Sequence, residues 1–229
     1  MRLIVSIVGC LLAATAIPAA ASAEDIQGQL VLVRPLTKQR VVLPTYDVRG
    51  VAPDKQPNME GHPINEWQRV VVYLEGNAAP KATPIAATLN QKGQHFEPEM
   101  VAVPVGSSVS FPNSDPVFHN VFSLSKVRQF DLGVYPAGES RTVKFNTAGV
   151  VQVYCHLHPD MNAAIFVVPN GWYLQPDDHG AFTFSHIPPG EYQVVVWHKS
   201  AGFFRKQIQV LPGGSTKVSM EIPLGANPR

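Results

Sequence analysis

Residues 151–161, Val151-Gln152-Val153-Tyr154-Cys155-His156-Leu157-His158-Pro159-Asp160-Met161, constrain the fold in two ways at once. The first constraint is on the backbone. At period 2, Val151, Val153 and Cys155 fall on one face, while Gln152, Tyr154 and His156 fall on the other. This is the pattern of a half-buried strand over 149–155, with the sulfur turned inward and His156 turned away. After Cys155 the chain must turn, and Pro159 assists it. The apolar run 163–168 reads as the next strand. The second constraint is chemical. A thiol, two imidazoles and a thioether lie within seven residues, and Cys155, His158 and Met161 are spaced Cys-x2-His-x2-Met. The turn can carry His158 and Met161 back toward the sulfur.

A fourth donor lies upstream in Asn113-Ser114-Asp115-Pro116-Val117-Phe118-His119-Asn120. Two imidazoles, one thiolate and a weak thioether make the ligand set of a blue-copper electron-transfer site. Soft sulfur suits Cu(I), and imidazole suits both oxidation states, so such a site changes charge with little rearrangement. Binding requires the thiol ionised and the imidazoles neutral, so affinity falls in acid.

The rest of the chain reads as all-β. Its apolar runs are short, rich in Val and broken by Gly and by 21 Pro, which disfavours long helices. Strand candidates are 26–34, 39–48, 69–75, 87–91, 100–103, 107–112, 128–131, 140–145, 149–155, 163–168, 181–184, 192–198, 203–210 and 216–222. Residues 50–66 read as a long loop and 76–84 as a linker. The first 23 residues have the parts of a secretory leader: Arg2, an apolar run and a small-residue end, Ala21-Ser22-Ala23. That run is shorter than the roughly 20 residues a bilayer span needs. Ile7-Val8-Gly9-Cys10 has the form of a lipoprotein cleavage site, but it lies very early and runs on into apolar sequence.

Cleavage of the leader sharpens two points. The chain holds 18 Lys+Arg against 17 Asp+Glu, and loss of Arg2 makes the two equal, so no basic excess points to nucleic acid. Cys10 also leaves, so the mature chain keeps one thiol, Cys155, and forms no internal disulfide. A lone thiol in an oxidising compartment is buried, bound or at risk of oxidation.

Two resemblances add to this reading. Residues 87–168 resemble a cupredoxin domain of the plastocyanin and amicyanin type. The matching pieces are Phe96-Glu97-Pro98, the stretch 105–115, His119-Asn120-Val121, the stretch 149–155 and the short Cys-x2-His-x2-Met loop. The resemblance implies a Greek-key β-sandwich with one type 1 copper per chain. It also implies that His119, Cys155 and His158 are strong ligands, that Met161 is a long axial one, and that Asn120 hydrogen-bonds across to the Cys loop. His156 departs from the pattern. In the last quarter, residues 177–184 and then Ile187-Pro188-Pro189-Gly190-Glu191-Tyr192 resemble a carboxypeptidase regulatory-like, transthyretin-like (prealbumin-like) β-sandwich. That family is a structural and interaction module without catalytic residues of its own.

The expected architecture is all-β, a cupredoxin Greek-key sandwich inserted into or flanked by a second, prealbumin-like sandwich. Two or three N-terminal strands are marginal alone, and the C-terminal segment lacks a strand pair, so ladders are expected between 26–75 and 181–222. The boundaries are 1–23 for the leader, 24–78 and 170–224 for the two parts of the second sandwich, 79–169 for the cupredoxin domain and 225–229 for a disordered tail. The expected function is periplasmic transfer of single electrons by blue copper, without enzymatic activity. A redox protein docks near His158, and the mature chain spans no membrane. Two alternatives are copper homeostasis or delivery, and a copper subunit of a larger oxidoreductase using a second metal through His156. Delivery favours clustered Met and His, whereas Met59, Met100, Met161 and Met220 are scattered. An oxidase needs several His-x-His pairs, and the chain has only His156/His158. The other histidines, His62, His95, His179, His186 and His198, read as solvated or structural. Plastocyanin-like proteins of this shape are similar to ones associated with methylamine utilisation.

Overall fold

The computed structural model describes residues 23–33 and 65–224. The leader up to residue 22, the strand candidate 39–48, the loop from 50 to 64 and the tail 225–229 lie outside them. The chain lays down β1 (Glu24–Val33) and β2 (Val70–Glu75), then ten strands that pair among themselves. These are β3 (Ala86–Thr88), β4 (Asn90–Lys92), β5 (His95–Glu97), β6 (Met100–Pro104), β7 (Ser107–Pro112), β8 (His119–Ser123), β9 (Phe130–Tyr135), β10 (Ser140–Phe145), β11 (Gly149–Tyr154) and β12 (Asn162–Val168). It then returns through β13 (Tyr173–Leu174), β14 (Ala181–Ile187), β15 (Gly190–His198), β16 (Gly202–Val210) and β17 (Thr216–Pro223). A 3-10 turn, Glu66–Arg69, precedes β2, and the Asn65 side chain caps it by accepting from the Trp67 N–H. Among the described residues no helix is long and apolar enough to cross a membrane.

Ladders join the first strands to the last. β1 runs antiparallel to β14 and parallel to β17, and β2 pairs antiparallel with β15. These pairings form two sheets, ordered β14-β1-β17 and β13-β2-β15-β16. Ile26, Leu30, Val72, Leu74, Phe184, Val194, Val196 and Ile222 fill the space between them. Within the first of these sheets Gly28 lies opposite Phe182 of β14, whose ring covers it: a Cβ there would sit 1.9 Å from the ring, so no side chain is accommodated. The middle strands form a second sandwich, with sheet β10-β7-β3 facing sheet β6-β12-β11-β8-β9. Val109, Phe111, Val121, Val151, Val153 and Ile165 are among the residues that fill it.

A third core joins the two sandwiches. In β2, Val70, Val72 and Leu74 point into the outer sandwich, whereas Val71 and Tyr73 point the opposite way. In β12, Ala163, Ile165 and Val167 point into the middle sandwich, whereas Ala164, Phe166 and Val168 meet Val71, Tyr73, Val195 and Trp197. Both strands are thus covered on both faces, which explains their unbroken apolar runs. The four sheets stack face to face. Beside this core Arg69 bonds Glu66 and Glu99, and Lys199 reaches Glu99 at 3.4 Å, so polar contacts also span the junction.

Some strand expectations are corrected. The candidate 87–91 is two short strands, β3 and β4, because the pairing partner changes at Leu89, from β7 to β5. The candidate 128–131 shifts to Phe130–Tyr135. β8, which carries His119, shows no clean alternation, and the sequence pattern does not mark it.

Candidate metal centre

The centre lies where β8 begins and β11 ends. β8 is hydrogen-bonded to β9 and β11, with His119 opposite Tyr135 and Phe122 opposite Tyr154. His119 at its start is fully buried. Cys155 lies one residue beyond β11 and is also buried, on the face of Val151 and Val153. The loop to β12 then folds back on itself: the Met161 N–H donates to the His158 carbonyl at 3.0 Å, and the Cys155 N–H donates to the Met161 carbonyl at 3.3 Å. These bonds fix both ends of the Cys-x2-His-x2-Met segment.

The three donors converge. Cys155 Sγ lies 3.9 Å from His119 Nδ1 and 3.7 Å from His158 Nδ1. One donor atom from each residue falls within 4.8 Å of the others. The two imidazole rings have centroids 4.7 Å apart. Metal bonds of about 2.1 Å to nitrogen and about 2.3 Å to sulfur, spread in a trigonal plane, set N···S at about 3.8 Å. The observed separations fit one such ion. Met161 is buried in the core of the middle sandwich, and its backbone closes the loop.

Around the donors the hydrogen bonds fix orientation. His119 Nε2 lies 2.7 Å from Asp115 Oδ2, so its other nitrogen faces the thiol. The Asn120 N–H points at Cys155 Sγ at 3.5 Å. The Asn120 carboxamide accepts from the His156 N–H at 3.4 Å and donates to Asp131 Oδ1 at 2.7 Å, joining β8, β9 and the Cys loop. His156 itself is away from the cluster. Its side chain is 56% exposed, its ring stacks on Phe122 at 3.7 Å, and its Nε2 lies 3.6 Å from Asp131 Oδ2.

The electrostatics favour a neutral His158 and ionised carboxylates at Asp115 and Asp131. Burial, and then the neighbouring His119, hold the His158 imidazole below its usual range. Burial pushes the Asp115 carboxyl up, but hydrogen bonds from the Gln94 N–H, His119 and the Gly93 N–H outweigh it and lower it. The Gly133 N–H and the Asn120 side chain lower the Asp131 carboxyl. Of the residues singled out by the sequence, His119, Cys155 and His158 converge here, Asn120 lies beside the thiol and Met161 closes the loop, whereas Asp115 and Asp131 carry no sequence motif. For Asp115 the only local signal is its place four residues before His119.

No protein-family model matches the chain, and no curated protein matches it. Solved structures do. A purple cupredoxin from Nitrosopumilus maritimus is 23% identical, over 36% of this chain and 99% of its own, with a TM-score of 0.33. A copper-containing nitrite reductase from Thermus scotoductus is 24% identical, over 41% of this chain and 25% of its own, with a TM-score of 0.35. A reduced amicyanin variant is 18% identical, over 42% of this chain and 98% of its own, also with a TM-score of 0.35.

Proposed function

We propose that this chain is a blue copper protein that passes single electrons between redox partners in the periplasm. The observation that carries the reading is the convergence of one thiol and two imidazole nitrogens, with N···S separations of 3.7 and 3.9 Å. On this reading His119, Cys155 and His158 hold one type 1 copper, and Met161 is the weak axial donor. Copper bound there supplies a one-electron couple between its +2 and +1 states. The chain does the rest. Buried His119 and Cys155 exclude water, the Asn120 N–H stabilises the thiolate, and the closed loop keeps the donors in place through a change of charge.

Residues 79–169 serve as the cupredoxin unit. Residues 24–78 and 170–224 serve as a carboxypeptidase regulatory-like scaffold that receives it. His158 is the donor nearest solvent, and Leu157 beside it and Phe118 beside His119 are 47% and 57% exposed. An apolar surface of this kind suits brief docking of a redox protein. No catalytic role is assigned.

The test is to purify the protein with copper, measure one equivalent per chain, record the visible spectrum and titrate with reductant. An intense blue band that bleaches reversibly supports the carrier. A colourless chain that binds Cu(I) tightly overturns it in favour of copper delivery.

A further inference from the structure

The buried histidine of the centre has a partner that the ligand set does not explain. His119 Nε2 and Asp115 Oδ2 are 2.7 Å apart, and the two side chains are 0% and 7% exposed. The carboxylate is fixed from its other side as well. The turn between β4 and β5 places Gly93 and Gln94 at φ 62° and 58°, both left-handed. Such consecutive residues turn their N–H groups the same way and form a small anion-binding concavity. Both N–H groups donate to Asp115, Gln94 at 2.8 Å. The left-handed backbone is strained for Gln94, which carries a Cβ, and strain of this kind persists where the surroundings hold it. Nothing within 4 Å would meet a Cβ at Gly93, so its backbone angle, and not space, calls for glycine there.

A carbonyl or a water would orient the imidazole equally well without adding charge. Among the described residues no Lys or Arg hydrogen-bonds to Asp115. The Asp115 N–H makes a separate bond to Asn113 Oδ1 at 3.0 Å, so the local turn does not need the carboxylate.

We propose that Asp115 is a positioning residue of the centre, holding His119 as the Nε2–H tautomer with its Nδ1 lone pair toward Cys155, and placing a fixed negative charge behind that imidazole which favours Cu(II) over Cu(I). The carboxylate–histidine pair is a common outer support of metal sites, fixing the ring and raising its basicity. The charge adds a preference between oxidation states, since a doubly charged ion is attracted more than a singly charged one. This inference rests on the copper reading above.

Two measurements test it. In metal-free wild-type protein, nitrogen NMR of the histidine rings should show His119 protonated at Nε2. An Nδ1–H tautomer, or rapid averaging between the two, overturns the proposal whatever the variants do. In Asp115→Asn, which keeps the shape and one acceptor oxygen, the ratio of Cu(II) to Cu(I) affinity should fall about tenfold or more. That raises the reduction potential by about 59 mV per tenfold for a one-electron couple. Asp160→Asn, which removes an exposed charge in the copper loop, should leave the ratio within about threefold. If Asp115→Asn stays blue with an unchanged ratio, the proposal fails and the copper reading stands. If wild type itself forms no blue site, the copper reading fails, and the metal-free NMR still decides the tautomer. If the variant does not fold, that same NMR result is the deciding one.

Discussion

Replacing Phe166 by Ala asks whether the two sandwiches are one packed body. Phe166 is 2% exposed and lies on the outward face of β12. Its ring stacks on Trp197 at 5.0 Å and 15°, and approaches Tyr73 at 5.7 Å and Phe203 at 6.0 Å. All three partners belong to the outer sandwich. Burying a Phe side chain is worth about 1.5–3 kcal/mol. Truncating one to Ala in a core costs about 3–5 kcal/mol, because a cavity remains. Sheets on both sides of Phe166 limit collapse, so about 4 kcal/mol is expected. Urea unfolding followed by fluorescence gives the loss for the outer sandwich, since Trp67, Trp172 and Trp197 all lie there. Native-state hydrogen exchange of β7 and β10 peptides gives it for the middle one. Both should lose stability together. A loss under about 1 kcal/mol, or faster exchange confined to one sandwich, refutes the shared core.

Cys155→Ser should abolish the blue band and weaken copper binding, whereas Met161→Leu should keep the band and change the potential, since the thiolate carries the colour and the thioether is a weak donor. A blue Cys155→Ser protein sinks the site assignment. His156→Ala should bind one copper as wild type does, because the ring lies on Phe122 outside the cluster, and copper analysis decides this. Acid should destabilise the metal-free protein in two stages, read from the urea midpoint against pH. Burial holds the His158 and His198 imidazoles below 6.5, so the unfolded chain takes their protons first as pH falls through that value. Burial raises the Glu99 and Asp115 carboxyls, but Lys199 and Arg69 for Glu99, and the Gln94 N–H and His119 for Asp115, bring them below 4.5 and 3.8, so a second loss follows under those values. A midpoint that rises on acidification contradicts both signs.

The same physics explains what was legible before the fold was known. Alternation in 149–155 placed Cys155 inward and His156 outward, and the structure places them so. The shortage of strands at each end pointed to ladders between 26–75 and 181–222, where β1 and β2 do pair with β14, β15 and β17. The stacking of the two sandwiches was written in the sequence less directly. Val70-Val71-Val72-Tyr73-Leu74 and Ala163-Ala164-Ile165-Phe166-Val167-Val168 do not alternate, which is the mark of strands covered on both faces. β8 was hidden because His119 and Asn120 are buried polar residues at its start, and they break the apolar pattern that marks a strand. The support of His119 by Gly93 and Gln94 was not legible at all. It depends on a turn about 25 residues upstream that only the folded sheets bring to Asp115.

The stack gives the outer sandwich a mechanical role at the centre. The donor loop joins β11 to β12, so β12 is its downstream anchor. In an isolated two-sheet sandwich one face of that anchor would be open to water. Here Ala164, Phe166 and Val168 close the open face against Val71, Tyr73, Val195 and Trp197, while β6 pairs along its edge. The upstream end is held by the Asn120 carboxamide and by the ladder of β11 with β8. Freedom remaining in the loop is therefore confined to the few residues between Cys155 and Met161, and two backbone bonds already cross that segment. On the proposed function, a donor set held in this way undergoes little reorganisation when its charge changes, which is what repeated single-electron exchange requires.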